Sequence, residues 1–185
     1  MNVAVELFFD STSERRLREL GQSLEAIYGD DHESELGVRP HLSLTVFPDG
    51  EPAFLRAELQ DLANRAVPFR LELTSVESFP TSEGVLYLAP ALSGSLADIH
   101  AAFHASLATQ QELGHAYYRP GSWVPHCTVA TGVPPNLQGA VLDACRAADV
   151  LREVWVHGIS ATAYRPRPAR ELYPFPLHPE KSVGM

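Results

Sequence analysis

The chain has 185 residues, 45% of them apolar and 20% charged, and a formal net charge of −9. That balance fits one folded domain, or two small lobes sharing a core, and excludes a disordered chain. With Lys181 as its single lysine, the chain lacks the basic surface that a protein tracking extended duplex nucleic acid needs.

In chain order, Val3–Phe9 is apolar apart from Glu6 and reads as a strand, with Glu6 and Phe8 on one face. Ser11 or Thr12, followed by Ser13-Glu14, offers a cap for a helix running to Tyr28, where Gly29 stops it. Asp30–Val38 is a polar loop. Pro40 opens a strand through Phe47, and Pro48-Asp49-Gly50 is a turn. Ala53–Arg65 has helical spacing of Phe54, Leu55, Leu59 and Leu62. Phe69–Phe79 alternates apolar Phe69, Leu71 and Leu73 with Arg70, Glu72 and Thr74, and pairs with Val85–Ala89 as a hairpin. Ser95–Leu113 is the next helix, ended by Gly114, and His115–Val124 is an irregular aromatic stretch. A second motif strand from Pro125 is broken by Pro134-Pro135. The helix Gln138–Ala148 and two closing strands, Val154–Tyr164 and Glu171–Pro176, complete an α+β order. No run reaches the length of a membrane span, and the first residues lack a basic stretch ahead of their apolar one, so a cytoplasmic monomer is expected.

One short phrase occurs twice. Pro40-His41-Leu42-Ser43-Leu44 returns as Pro125-His126-Cys127-Thr128-Val129. Strand side chains alternate faces, so His41 and Ser43 point one way while Leu42 and Leu44 point into a core. The same parity pairs His126 with Thr128 and puts Cys127 and Val129 behind them. Two strands that each present an imidazole and a hydroxyl form a clamp for a phosphate. One histidine acts as base and the other as acid, while the hydroxyls bond the nonbridging oxygens.

Other groupings carry less. His100 and His104 stand at zinc-helix spacing, but Ala101 sits where the catalytic Glu would be and no third ligand is evident, so a half-exposed helix face is the expected account. Cys127 and Cys145 suggest neither a disulfide framework nor a zinc knuckle. Tyr117, Tyr118 and Trp123 suit stacking on a base at the mouth of a groove, and equally suit anchoring a loop. Arg39, Arg119, Arg165, Arg167 and Arg170 gather near the motifs and the last hairpin, with solvated loop charge as the competing reading.

Carried by the two motifs and the order of elements, the chain resembles the two-histidine phosphoesterases, the 2′-5′ RNA ligase-like and cyclic phosphodiesterase superfamily, with Ser43 for the more usual Thr in motif one. The resemblance implies two pseudo-symmetric lobes, each an antiparallel sheet with outer helices: one of about residues 1–66 plus 149–178, the other about 67–148. The groove between them would hold His41 and His126 as catalytic residues and Ser43 and Thr128 as phosphate-binding residues. Phe8, Tyr118, Arg119, Trp123 and Arg165 are further candidates for substrate contact. The implied activity needs no metal and no cofactor. It acts on a 2′,3′-cyclic phosphate or a 2′-5′ linkage of a small nucleotide or RNA end, with 2′-5′ ligation as its reverse. The alternative is a noncatalytic nucleotide or RNA-end binder on the same scaffold.

Overall fold

A computed structural model describes residues 2–29 and 38–178. All but the last residue of the expected Asp30–Val38 loop lies outside the described residues. Strand β1 (Val3–Phe9) is buried at every position and is therefore a central strand. Helix α1 (Ser11–Tyr28) follows directly, and its cap is Asp10 rather than Ser11 or Thr12. Asp10 has the extended backbone of a cap residue, and its Oδ1 accepts a hydrogen bond from the Ser13 N–H at 3.0 Å. Gly29 ends the helix in the left-handed region at φ 73°. Strand β2 (His41–Phe47), helix α2 (Leu55–Arg65) and strand β3 (Phe69–Ser78) come next, with β3 burying Phe69, Leu71 and Leu73 as its alternation predicts.

Strand β4 (Leu86–Pro90) leads to helix α3 (Gly94–Ser106), capped by the Ser93 hydroxyl, which accepts from the Leu96 N–H at 3.2 Å. The expected helix to Leu113 stops earlier. The Leu107 N–H reaches the Phe103 carbonyl only at 3.4 Å, and the chain tightens into a 3-10 segment over Ala108–Leu113. A short 3-10 turn (Ala116–Tyr118), strand β5 (Cys127–Ala130), helix α4 (Gln138–Ala147), long strand β6 (Glu153–Ala163) and short strands β7 (Arg170–Glu171) and β8 (Phe175–Pro176) complete the α+β chain. Strand β5 begins one residue after His126 and has only four residues, shorter than the second motif strand the sequence suggests.

All strands belong to one eight-stranded sheet in the order β2-β1-β6-β3-β4-β5, with β7 and β8 also paired to β6 and every pairing antiparallel. The two motif strands therefore occupy opposite ends of the strand order. Gly84 holds the β5 end in place. It has φ +61°, and a Cβ there would lie 2.4 Å from the Val133 carbonyl oxygen. Among the described residues no helix is long and apolar enough to cross a membrane.

His100 and His104 are both buried, which corrects the half-exposed helix face expected for them. Their Nε2 atoms meet the carbonyls of Tyr118 at 2.9 Å and Leu44 at 3.2 Å, and the His100 ring stacks on Trp123 with centroids 3.8 Å apart. Carbonyls only accept, so each Nε2 carries a proton and donates it. Among the described residues no three metal-ligating side chains cluster. Burial pushes His100 down to about 4 from its ordinary 6.5, outweighing the Tyr118 carbonyl, and burial also lowers His104. The unfolded chain thus takes up these protons first, so their contribution to stability is complete above about pH 6.5 and is lost as pH falls toward 4. The urea midpoint is expected to decline between pH 6.5 and 5, and His100→Gln should make that decline shallower.

Candidate active site

The repeated phrase builds two sites with the same backbone handles. The Nδ1 of His41 lies 2.7 Å from the Arg39 carbonyl, and the Nδ1 of His126 lies 2.7 Å from the Val124 carbonyl. Each ring is bonded to the carbonyl two residues before it. A carbonyl cannot donate, so both rings carry the proton on Nδ1, and both leave Nε2 for other partners. The hydroxyl residue stands two positions later in each case. Leu42, Leu44, Cys127 and Val129 are buried behind the motifs, as strand parity predicts.

A second likeness was not visible in the sequence. The β1–β2 register passes from Val5↔Thr45 to Glu6↔Ser43, which leaves Leu44 as an extra residue. The β4–β5 register passes from Leu86↔Ala130 to Tyr87↔Thr128, which leaves Val129 extra. Each motif strand thus bulges at the residue after its hydroxyl. A bulge bends a strand and re-aims the side chains beside it. In β2 it also resets the alternation, so Phe47 rather than Val46 joins Leu44 in the core.

Two adjoining cavities meet at Thr128. One of about 180 Å³ is lined by His41 and Thr128 with Arg39 and residues of α1. The other, about 520 Å³, is lined by His126 and Thr128 with Phe79, Tyr117, Tyr118 and Trp123. The His126 ring is boxed by aromatics, edge-on to Phe79 at 5.0 Å and near Tyr87 at 5.5 Å. Burial among them, helped by the nearby charge of His41, lowers the affinity of His126 for a proton despite the Val124 carbonyl.

Beside His41 lies a group that sequence reasoning placed on the correct face without giving it a role. Glu6, on central strand β1, has no exposed surface. Its Oε2 accepts from the Thr162 hydroxyl at 2.6 Å, its Oε1 accepts from the Tyr164 hydroxyl, and Oε1 lies 3.4 Å from the His41 Nε2. The Tyr164 hydroxyl is itself 3.3 Å from that nitrogen. The signal was a lone carboxylate inside a strand of otherwise apolar residues. Tyr118 joins the cluster through a hydrogen bond with the Ser43 hydroxyl, and burial, then the Glu6 charge, raise its phenol.

The other expected contacts fall out unevenly. Tyr118 and Trp123 line the larger cavity, but the indole is also a tie: its Nε1 donates to the Ser43 carbonyl at 3.0 Å. Phe8 is buried beneath the Arg39 guanidinium, 4.3 Å from the ring centroid. Arg39 itself is held by Glu14 at 2.8 Å and Glu171 at 3.1 Å. Arg119 pairs with Glu112 at 2.8 Å. Arg165 is exposed beyond β6, next in sequence to Tyr164.

A sequence model of the 2′-5′ RNA ligase superfamily matches residues 7–165. The chain belongs to that superfamily. Among solved structures, TT0787 of Thermus thermophilus is similar at 20% identity and a TM-score of 0.63, over 98% of this chain and 100% of that one. Escherichia coli LigT, solved in complex with 3′-AMP, is similar at 17% identity and a TM-score of 0.55, over 95% of this chain and 97% of that one. No match was found among curated proteins. The two structural likenesses show a shared fold.

In this member of the 2′-5′ RNA ligase superfamily, the indole of Trp123 ties the approach to motif two directly onto motif one. Trp123→Phe keeps an aromatic face for His100 but removes the N–H together with part of the indole ring. Leaving the Ser43 carbonyl without its donor should cost about 1–3 kcal/mol, measured as a fall in unfolding free energy by urea titration.

Proposed function

We propose that this protein is a metal-independent phosphodiesterase that acts on 2′,3′-cyclic phosphates or 2′-5′ linkages of small nucleotides or RNA ends. The observation that carries this reading is the matched pair of imidazoles. Each is fixed through Nδ1, each lines one of the two cavities that share Thr128, and each has a hydroxyl two residues on. In hydrolysis, one Nε2 takes a proton from water as the water oxygen bonds to phosphorus. The phosphorus–oxygen bond to the ribose then breaks, and the departing oxygen takes a proton from the other imidazole. One proton has moved between the rings, and exchange with solvent resets them. With a ribose 5′-hydroxyl in place of water, the same sequence on a 2′,3′-cyclic phosphate, in which the bond from phosphorus to the 3′ oxygen breaks and that oxygen takes the proton, is 2′-5′ ligation. Ser43 and Thr128 donate to the nonbridging oxygens, and the aromatic cavity beside His126 has room for a base. That LigT was solved with 3′-AMP supports a substrate of nucleotide size.

His41→Ala or His126→Ala should each lower turnover of 2′,3′-cyclic AMP by about 10² to 10⁴, the usual contribution of one general acid or base. The double variant should lose little more than either single one, because both groups serve one transition state. Activity should survive EDTA. Full turnover by the double variant overturns the mechanism, and a wild-type protein that binds the cyclic nucleotide without turning it over is a binder.

Electrostatics sets the substrate size. The chain carries −9 overall, and Arg39 and Arg119 are already paired with carboxylates. Each phosphate neutralised by a basic side chain adds roughly 0.7 to 0.9 to the salt slope of binding. Affinity measured against salt is expected to report about one to three phosphates, and nearly the same slope for a mononucleotide as for a long RNA with the same end. A slope of about six or more contacts for the long RNA would mean an RNA-tracking surface.

A further inference from the structure

We infer that Arg39 is a positioning residue for His41: its guanidinium, pinned by Glu14 and Glu171, fixes the backbone carbonyl that orients the ring. The inference rests on the two-histidine phosphodiester reading and adds to it the side chain that holds one of the two imidazoles in place.

The His41 ring takes its orientation from a group outside the sheet. Its Nδ1 lies 2.7 Å from the Arg39 carbonyl, while β2 starts only at His41, so strand pairing does not fix Arg39 itself. Pro40 removes one rotation between that carbonyl and the ring, and keeps the residue before it in extended backbone. What remains is to hold Arg39, and its side chain does so from three elements. Its Nε and Nη2 donate to Glu14 Oε2 of α1 at 3.0 and 2.8 Å, and its Nη1 donates to Glu171 Oε1 of β7 at 3.1 Å. The guanidinium carbon lies over the Phe8 ring of β1, 4.3 Å from its centroid. A planar fork engaged by two carboxylates and an aromatic face cannot swing without breaking a charge-assisted hydrogen bond.

Arg39 also lines the smaller cavity beside His41, so direct contact with a substrate phosphate is the competing role. The charge balance argues against it. Arg39 and Arg18 both bond Glu14, and Arg39 also bonds Glu171, so two cations meet two carboxylates with no excess positive charge to attract an anion. Burial alone would raise the Glu14 carboxyl, but hydrogen bonds from Arg39 and Arg18 hold it below its usual range, so this partner is ionised at neutral pH.

Motif two meets the same requirement by other means. Val124, whose carbonyl lies 2.7 Å from the His126 Nδ1, also precedes its strand, and its side chain is exposed. The anchor there is the neighbouring Trp123, whose indole N–H donates to the Ser43 carbonyl at 3.0 Å and whose ring stacks on His100. Each carbonyl that sets a ring is thus tied down by a side chain on the same residue or on the next one.

The test compares Arg39→Met, which keeps an unbranched stem but removes the fork, with Glu171→Gln, which loosens the fork and leaves Arg39 in place. Both full-length variants are assayed on 2′,3′-cyclic AMP, and nitrogen-15-labelled histidine reports the ring tautomers by NMR at alkaline pH. Arg39→Met should lower kcat by about tenfold to a hundredfold with KM within about twofold, the pattern of a misplaced reacting group rather than a lost substrate contact. Glu171→Gln should lower kcat by roughly threefold with KM unchanged. In Arg39→Met the His41 ring should pass from a single Nδ1–H tautomer to a mixture with Nε2–H, while His126 keeps its Nδ1–H. A raised KM with kcat unchanged in Arg39→Met makes Arg39 a substrate contact and overturns the inference. So does a lowered KM in Glu171→Gln, from a guanidinium freed for phosphate. An unchanged His41 tautomer with unchanged kcat overturns it as well. A tautomer shift in Arg39→Met, with no turnover of cyclic nucleotide by the wild type, leaves the positioning standing and overturns the phosphodiesterase reading.

Discussion

The free edge of β2 is closed by two side chains and one backbone N–H rather than by another strand, and the site depends on that closure. An edge strand presents unpaired carbonyls. Here the Ser43, Leu44 and Val46 carbonyls accept from the Trp123 indole at 3.0 Å, His104 at 3.2 Å and the His115 N–H at 2.8 Å. All three donors come from the stretch that runs from α3 to β5. The segment that leads into motif two is thereby fastened onto motif one. Two strands at opposite ends of one sheet are brought to a common cavity wall at Thr128.

This gives the buried histidines of α3 a physical purpose that a metal reading misses. Each spends its ring N–H on a backbone carbonyl: His104 on the first motif strand and His100 on Tyr118, at the cavity wall. His100 also serves as the stacking platform for the indole that bonds Ser43. Neutral imidazole suits the work, because it is flat, packs against an aromatic face and donates one hydrogen bond. Burial keeps it neutral.

Much of this was legible in the chain, and what was not has identifiable reasons. The motif strands, the outer helices and the inward parity of Leu42, Leu44, Cys127 and Val129 follow from local pattern, since period-two burial is written residue by residue. The bulges at Leu44 and Val129 are not, because a bulge is a relation between two strands and needs the partner register. The cap at Asp10 was missed in favour of Ser11 or Thr12, although all three residues can cap. What selected Asp10 was where β1 ends and the chain turns. The arginines near the motifs read in sequence either as groups at the site or as solvated loop charge; Arg39 and Arg119 are paired with glutamates, and those that hold Arg39 arrive from distant elements. Glu6 was conspicuous as a lone charge in an apolar strand. Its meaning waited on Thr162 and Tyr164, 156 and 158 residues away, and on the edge position of His41.

Repetition in sequence and asymmetry in chemistry are compatible for a simple reason. The repeated phrase determines what is local: the ring tautomer through the carbonyl two residues back, the hydroxyl two residues on, and the bulge that follows. It does not determine what packs against the ring. Motif one lies beside β1 and the end of β6, whose side chains bring a carboxylate and two hydroxyls. Motif two lies beside β4 and the end of β3, whose side chains bring Tyr87 and Phe79. The neighbours differ in polarity because β1 and β4 differ in sequence, and a motif carries no information about the strand it will be paired with. A fold that places one motif twice thus obtains the same local geometry from the motif and different surroundings from the strand next to it.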